Sequence, residues 1–282
     1  MEFLESWSMP AQLAFIAVLF GGGSVLGLYI VRRLVSVRSL QANHEVAGIT
    51  FGILGAFYGL VLGFVIVAAW ERFDQADANA HDEATALESL YKLGAGMAEP
   101  MRSQLDAAVL EYTRRVVDEE WPQMAKVTYH AGKEGAHKLW SMVISYNPEN
   151  GHEQMLLDKA VDQLSAISQA RSQRLHFYEG NLPSMVWFII YLGCLITIGF
   201  SFFFGAQGFG TQGIMCAFFS IWLGLTILAI LELAHPYRGL MTIPDDPYRY
   251  AISRMEEAGK YRMSAALAPT APYSGGQQTQ SR

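Results

Sequence analysis

The chain has 282 residues, of which 51% are hydrophobic and only 16% are charged, whereas a soluble domain of this size carries about a quarter charged residues. The formal net charge of −6 at pH 7 argues against nucleic acid as a partner, because a nucleic-acid-binding protein needs a concentrated basic face. The shortage of charge is confined to a few long uncharged stretches, which exclude an ordinary water-soluble fold.

These uncharged stretches predict four membrane spans. A helix crosses a bilayer core with about 20 apolar residues, and residues 10–31 and 46–70 each fit one crossing. A third apolar stretch is interrupted by GAQGFGTQG, residues 205–213. It therefore predicts two spans, about 184–204 and 213–234, joined by a tight turn. The lipid bilayer is therefore the first expected partner.

The first span is expected to be a retained anchor and not a cleaved signal peptide. Its leading residues, MEFLESWSM, are acidic, and its apolar run is longer than the core of a typical signal peptide. Arg32 and Arg33 follow this span, whereas a signal peptide carries its positive charges before the apolar run.

The segment between the second and third spans, residues 71–182, holds 18 acidic and 11 basic residues. Its apolar residues recur at threes and fours, as on one side of a helix. Because no glycine or proline intervenes before Gly94, span two is predicted to leave the membrane as one long helix. Two more helices are predicted, one from Met101 to about Trp121 and one from Gly151 into span three. The predicted fold class is all-α, with four transmembrane helices and a helical extramembrane bundle inserted after the second.

The remaining segments follow the fourth span. Residues 235–262 form a post-membrane segment, and residues 263–282, rich in Ala, Pro, Ser, Gln and Gly, are predicted to be disordered. Four spans place both termini and the 71–182 domain on one side. Positive charge near the span ends is almost balanced between the two sides, and the cytoplasmic side is favoured for the domain because nothing in it suits an oxidising exterior.

Span two carries five glycines at spacings of four, three, four and four, which places them on one narrow strip of a helix. We call this the glycine strip: Gly48, Gly52, Gly55, Gly59 and Gly63. Small residues at this spacing let two helix backbones approach closely in lipid. The strip predicts that span two packs against neighbouring helices, although membrane helices also tolerate glycine for no such reason.

A second strip of span two is apolar and bulky. We call it the apolar strip: Ile53, Phe57, Leu60 and Phe64. Two interpretations stay open, because these side chains could face lipid or could line a constriction in a ring of subunits, where apolar walls gate by dewetting. The spans contain no ionisable residue before Glu232, which argues against a proton-coupled transporter.

Three acidic residues, Asp74, Asp77 and Asp82, follow span two. They would concentrate cations if they lined a vestibule, but a solvated acidic face is the plainer interpretation. Asp77 and His81 are four residues apart, but two possible ligands are not enough to predict a metal site, and no cofactor is expected.

GFGTQG at residues 208–213 follows a membrane helix and not a strand, so it does not predict dinucleotide binding. Neither it nor any other motif predicts an enzyme.

The two cysteines, Cys194 and Cys216, both fall within predicted spans. They are interpreted as small apolar residues of the core, since free cysteine is among the most buried residue types. No disulfide framework is expected from two cysteines at these positions.

The chain resembles a bacterial membrane-protein family of unknown function described as bestrophin-like, which is distantly similar to bestrophin anion channels. One matching stretch is NHEVAGITFGILGAFYGLVLGFVIVAAWERFDQADANAHDEATAL, residues 43–87, and the other is ELAHPYRGLMTIPDDPYRYAI, residues 232–252. The second contains the family's HPFRG element, with Tyr237 in place of phenylalanine. The resemblance covers about residues 10–255, and the motif positions are Trp70, Arg72, His235, Pro236, Arg238 and Gly239.

This resemblance implies an oligomeric four-span protein of the bacterial inner membrane with a helical cytoplasmic part. In bestrophins, five subunits surround an anion pore whose apolar neck comes from the second span, which would place Leu60 and Phe64 in a neck. Asp245 and Asp246 occupy a place similar to that of the acidic cluster that binds calcium in animal members. Two carboxylates fall short of the about six to eight oxygens that calcium takes, so no metal site is expected.

The leading hypothesis is a homo-oligomeric ion channel with span two at or near the pore axis and small inorganic ions as candidate partners. The alternative is a non-conducting membrane scaffold or signalling protein whose helical domain binds a partner. The sequence leaves open the ion, the number of subunits and the gating trigger.

Overall fold

The computed structural model describes residues 8–42, 44–125, 135–179, 182–206 and 208–267. Every regular element in these ranges is a helix, which confirms the all-α prediction. The helices are α1 (Met9–Leu34), α2 (Val37–Ala42), α3 (His44–Gly94), α4 (Met101–Arg115, continued by Val116–Glu120 and Trp121–Met124), α5 (Gly135–Ser145), α6 (Gly151–Glu179), α7 (Ser184–Ser201), α8 (Phe209–Ala234) and α9 (Asp246–Leu267).

Four stretches of the described chain are long and apolar enough to cross a membrane, as the sequence predicts. They lie in α1, α3, the Gly151–Ser201 stretch that contains α7, and α8. One turn of α1, Ala17–Gly22, is π-helical. The uncharged stretches of the sequence thus correspond to the apolar spans, and the charged stretch between them corresponds to the polar domain.

Helix α3 confirms the prediction that span two continues far beyond the membrane. It has 51 residues, about 75 Å at 1.5 Å per residue, whereas the hydrocarbon core is only about 30 Å thick. No proline interrupts α3, and no glycine lies between Gly63 and Gly94, where the helix ends. One helix thus joins the membrane part to the extramembrane part.

Within the membrane part, α8 is the central helix and α3 lies at the edge. In the most apolar stretch of each helix, 39% of the residues of α8 are buried, but only 11% of those of α3. Helix α1 packs against α8 and α7, and α3 packs against α7 and α8. The hydroxyl of Tyr58 on α3 donates a hydrogen bond of 2.7 Å to the carbonyl of Ile190 on α7. Much of the membrane surface of α3 is therefore left uncovered by its own chain.

The extramembrane bundle has a larger core, to which α3, α4, α5, α6 and α9 all contribute. Its most buried members include Leu87, Leu90, Leu105, Val109, Leu139, Leu164, Ile167 and Tyr248. The sequence did not predict α5 or α9. Helix α9 lies in the post-membrane segment and runs to Leu267, past Met263, where the disordered tail was expected to begin. Residues 268–282, which make up the rest of that tail, lie outside the described residues.

Helix α4 also extends further than the sequence predicts. The expected end was Trp121, because Pro122 has no N–H to donate within a helix. A π-helical turn, Val116–Glu120, precedes these residues, and Pro122 then falls in the first turn of the segment Trp121–Met124. The backbone angles of Arg115, Glu120 and Trp121 are all helical, so Pro122 follows the π-helical turn without ending the helix, which runs on to Met124.

Four charged side chains meet inside the bundle and form a buried charge cluster: Glu83, Glu120, Arg171 and Arg174. Arg174 Nε donates to Glu83 Oε2 at 2.9 Å, and neither side chain has any exposed surface. Arg174 Nη2 also donates to Glu120 Oε2 at 3.0 Å, and Arg171 Nη2 donates to Glu120 Oε1 at 2.7 Å. The cluster is neutral with both arginines charged and both glutamates ionised, and it ties α3, α4 and α6 together.

Two buried tyrosines complete the hydrogen bonding of Glu83. The hydroxyls of Tyr112 on α4 and Tyr248 on α9 each donate to one of its carboxylate oxygens at 2.8 Å. Burial, reinforced by the negative charge of Glu83, raises the pKa of both hydroxyls well above the usual value, so they remain donors. Burial alone would lower the pKa of Arg174, but Glu83 and the neighbouring groups outweigh it and raise that pKa on balance.

We predict that Glu83→Gln destabilises the protein strongly, because it leaves the buried charge of Arg174 only partly compensated. Removing one partner of a buried ion pair costs about 3–5 kcal/mol. The thermal unfolding midpoint in detergent measures the effect. The matched control is Glu111→Gln, which loses only surface ion pairs, with Lys138 and Arg115, and should change the midpoint little. Equal midpoints for the two variants would contradict the assigned role of the cluster.

Candidate functional site

The apolar strip of α3 points away from the rest of the described chain. Its side chains have the exposed fractions 56% (Ile53), 68% (Phe57), 57% (Leu60) and 68% (Phe64). Their spacing of four, three and four places them on one face of α3, and the helix packs against α7 and α8 through a different face that includes Tyr58 and Leu62. The chain thus presents a row of four large apolar side chains with no cover of its own.

The glycine strip is also uncovered. A Cβ atom at Gly52, Gly55, Gly59 or Gly63 would meet no atom of the described chain within 4 Å, and at Gly48 it would meet only Phe204 Cε1 at 4.0 Å. The close packing that this strip predicts is therefore not found within the chain. It stays a prediction about contacts with other molecules.

Other glycines provide the close packing inside the chain. A ring occupies the space of a Cβ atom at each of three positions, where Phe202 lies on Gly27, Tyr58 on Gly193 and Phe20 on Gly224. These glycines could not be predicted from the sequence, because their partners lie on other helices and no regular spacing marks them. Since these glycines allow close packing between helices of the chain, the glycine strip of α3 differs from them in having no such neighbour in the described chain.

Both strips continue along α3 beyond the membrane. The apolar strip continues, at spacings of four and three, as Ala68, Glu71, Gln75, Ala78 and Asp82. The glycine strip continues as Trp70, Asp74, Asp77 and His81. Of the three acidic candidates for a vestibule, Asp82 therefore shares the face of the apolar strip, whereas Asp74 and Asp77 share the face of the glycine strip.

An open cavity of about 690 Å³ lies where α3 leaves the membrane. We call it the juxtamembrane groove, and α3 and α6 form its two sides. Arg72, one of the family-motif residues, is half-buried in it, with its guanidinium 5.8 Å from the centre of the Phe177 ring. The lining residues are Ala68, Glu71, Arg72, Gln75, Ala78, Asn79, Asp82, Gln173, His176, Phe177 and Leu182. The groove is a polar extension of the face that carries the apolar strip.

The HPYRG motif, residues 235–239, forms the turn after α8. The carboxylate of Glu232 accepts hydrogen bonds from the backbone N–H groups of Leu240, at 2.6 Å, and Met241, at 3.2 Å. Gly239 has φ +90°, and a Cβ atom there would collide with the same carboxylate. The one ionisable residue of the predicted spans thus shapes a turn, and the motif requires glycine at its last position.

The other motif residues attach this turn to the bundle. Tyr237 is buried and meets Trp121 edge to face, with ring centres 5.4 Å apart. The guanidinium of Arg238 lies 5.2 Å from the centre of the Tyr178 ring. His235 Nδ1 lies 2.9 Å from the carbonyl oxygen of Leu231 in the last turn of α8. These contacts give the motif a structural role at the boundary between the membrane part and the bundle.

No metal centre is formed in the described part of the chain. Among those residues, no three side chains of His, Cys, Asp or Glu are grouped to hold an ion. Asp245 accepts two hydrogen bonds from Arg249, at 2.8 and 2.9 Å. His81 Nδ1 lies 3.9 Å from Asp77 Oδ2, and both side chains are exposed. Asp245 is thus paired with Arg249, and the Asp77–His81 pair is too small a group to hold an ion.

We predict that Gly239→Ala destabilises the turn, because the left-handed backbone costs about 1–2 kcal/mol for a residue with a Cβ atom and because the added methyl group displaces Glu232. The unfolding midpoint in detergent should fall. Gly210→Ala is the matched control, since a Cβ atom there meets nothing within 4 Å of the described chain. A midpoint that falls no further for Gly239→Ala than for the control would refute this role.

Comparison with known proteins identifies the family. A Bestrophin-like domain model matches residues 18–248, whereas no curated protein sequence matches significantly. Two crystal structures of a bacterial bestrophin homologue from Klebsiella pneumoniae, each carrying one mutation, share the fold. One has a TM-score of 0.65 at 14% identity over 89% of this chain and 98% of the homologue. The other has a TM-score of 0.61 at 13% identity over 88% and 99%.

A third structure of the Klebsiella pneumoniae homologue, phased with zinc, has a TM-score of 0.59 at 13% identity and covers 86% of this chain and 97% of that one. At such low identities these structures demonstrate a shared fold. The family model spans most of the chain and includes both motif regions. The chain therefore belongs to the Bestrophin-like family and is a membrane protein of the bestrophin type.

Proposed function

We propose that this protein is a homo-oligomeric ion channel in which the apolar strip of α3 lies at or near the pore axis. One observation carries the proposal: α3 is the helix that joins the two parts of the molecule, yet it leaves two separate strips without cover from its own chain. Lipid alone accounts for an exposed apolar strip. It accounts less well for an exposed glycine strip, because glycine offers lipid almost no apolar surface.

The two strips fit two different neighbours. They lie roughly a third of a turn apart on α3, given 3.6 residues per turn. In a ring of identical subunits, the glycine strip would pack against the adjacent subunit, since small residues allow close helix contact in lipid. The apolar strip would then face the axis, with Leu60 and Phe64 as a neck that gates by dewetting.

The rest of the chain would complete the conduction path. In this arrangement the juxtamembrane groove opens toward the axis just beyond the neck, and the helical domain of residues 71–182 surrounds a vestibule on the cytoplasmic side. The absence of ionisable residues from the spans before Glu232 favours passive conduction over proton-coupled transport.

Planar bilayers test conduction directly. We expect the purified protein to give discrete current steps, and Phe64→Ala to increase the single-channel conductance, because a smaller side chain widens the neck. Phe218→Ala is the control, since Phe218 is 71% exposed on α8 and lies outside the proposed pore. An unchanged conductance in Phe64→Ala would remove Phe64 from the neck. An assembled protein that stays silent across pH, calcium and voltage would favour the non-conducting scaffold.

The glycine strip gives a prediction about assembly. We expect the double substitution Gly55→Leu and Gly59→Leu to reduce the particle mass measured by gel filtration with light scattering, because each leucine forces the subunits apart. The chain's own fold should tolerate the change, since both positions are open within it. The control is Gly22→Leu with Gly23→Leu, two other open positions, in α1. An unaltered mass in the α3 variant would count against the proposed contact.

A further inference from the structure

We infer that Glu71 and Asp82 determine the ion preference of this protein and make it select cations over anions; the inference rests on the channel proposed above. From the sequence alone, the acidic candidates are Asp74, Asp77 and Asp82, and the ion stays open. The structure separates these acids by face and adds Glu71 to the face that continues the apolar strip.

Position on α3 is the first reason. From Phe64, steps of four, three, four, three and four residues lead through Ala68, Glu71, Gln75 and Ala78 to Asp82, and such steps stay on one side of a helix. Both acids line the juxtamembrane groove. If the apolar strip faces the axis, an ion that passes the neck next meets the Glu71 side chains and then those of Asp82.

The charge balance of the groove is the second reason. Glu71 and Asp82 are exposed, and neither forms an ion pair with another described residue. Among the described lining residues, Arg72 is the one lysine or arginine, and it is half-buried with its guanidinium over the Phe177 ring. The carboxylates are therefore the charges most accessible to a passing ion, and the three groups together carry a net charge of about −1 per subunit at neutral pH.

The remaining polar lining suits a hydrated ion and not a tightly bound one. Three polar lining residues are exposed: Gln75, Gln173 and His176. Asn79 is buried, and its side-chain amide donates a hydrogen bond of 2.8 Å to the carbonyl of Ala170. The described residues form no group of three or more His, Cys, Asp or Glu side chains that could hold an ion. Rings of Asp and Glu side chains select cations in this way, by raising the local cation concentration in a narrow path. The groove would act on monovalent and divalent cations without holding either.

The other two acids would have a different position. Asp74 and Asp77 continue the glycine strip, and Asp77 lies near His81. In the proposed ring they fall beside the contact between subunits, away from the axis. They form a matched comparison pair, because they have the same charge, lie on the same helix and differ from the proposed pair in the face they occupy.

Reversal potentials across a salt gradient in planar bilayers measure the preference. We expect the unmodified protein to favour K⁺ over Cl⁻, and Glu71→Gln with Asp82→Asn to reduce this permeability ratio about threefold or more, since the local field sets the local ion concentration. Asp74→Asn with Asp77→Asn should change the ratio much less. A preference for Cl⁻ in the unmodified protein, or an equal loss in both double variants, would overturn the inference.

A second measurement does not depend on conduction. Gln75→Cys places a thiol between the two acids, and we expect the assembled particle to react faster with a cationic thiol reagent than with an anionic one of similar size. Glu71→Gln with Asp82→Asn should reduce this ratio of rates several-fold. The native Cys194 and Cys216 are 5% and 4% exposed, so the protein without Gln75→Cys gives the background.

The two measurements separate the inference from the function on which it rests. A silent bilayer would overturn the channel, and the labelling ratio would then decide whether the groove attracts cations. Equal labelling rates for the two reagents, or a ratio that does not respond to the loss of both acids, would refute the role of Glu71 and Asp82 even in a conducting protein.

Discussion

The carboxylate of Glu83 and the guanidinium of Arg174 meet in the interior of the bundle, where neither side chain is exposed to water. A buried charge without its partner is several kcal/mol less stable, so α3 cannot rotate or slide against α6 unless the pair breaks. Glu120 accepts a second hydrogen bond from Arg174. Tyr112 and Tyr248 each donate a hydrogen bond to a carboxylate oxygen of Glu83. The extramembrane half of α3 is thereby fixed about its own axis.

The membrane half of the same helix is fixed by packing. The ring of Tyr58 packs against Gly193, and its hydroxyl donates a hydrogen bond to the carbonyl of Ile190. With both halves held and no break in the 51 residues between the ends, the faces of α3 that point outward are determined by the fold. The proposed pore and subunit contact depend on this, because the apolar strip and the glycine strip are the faces that remain after the internal contacts have been made.

Much of this architecture could be predicted from local patterns in the sequence. Absence of charge marked the four spans, and absence of glycine and proline marked the length of α3. The spacing of each strip showed which of its residues share a face, but not where that face points. Nothing in the local sequence marks Arg174 as buried, since its partner is Glu83, 91 positions away. Gly193 and Gly224 were missed for the same reason, and α9 was missed because its buried face is matched only by distant helices.

The central claim is that the apolar strip of α3 faces the same strip in other copies of the chain. Distances between spin labels attached to Leu60→Cys in the assembled particle test it most directly. They should be short, and shorter than those from Trp222→Cys, because Trp222 is 69% exposed on α8 and would face lipid at the outside of a ring. Leu60 labels with no coupling between copies, or with longer distances than the Trp222 labels, would place α3 away from the axis and contradict the claim.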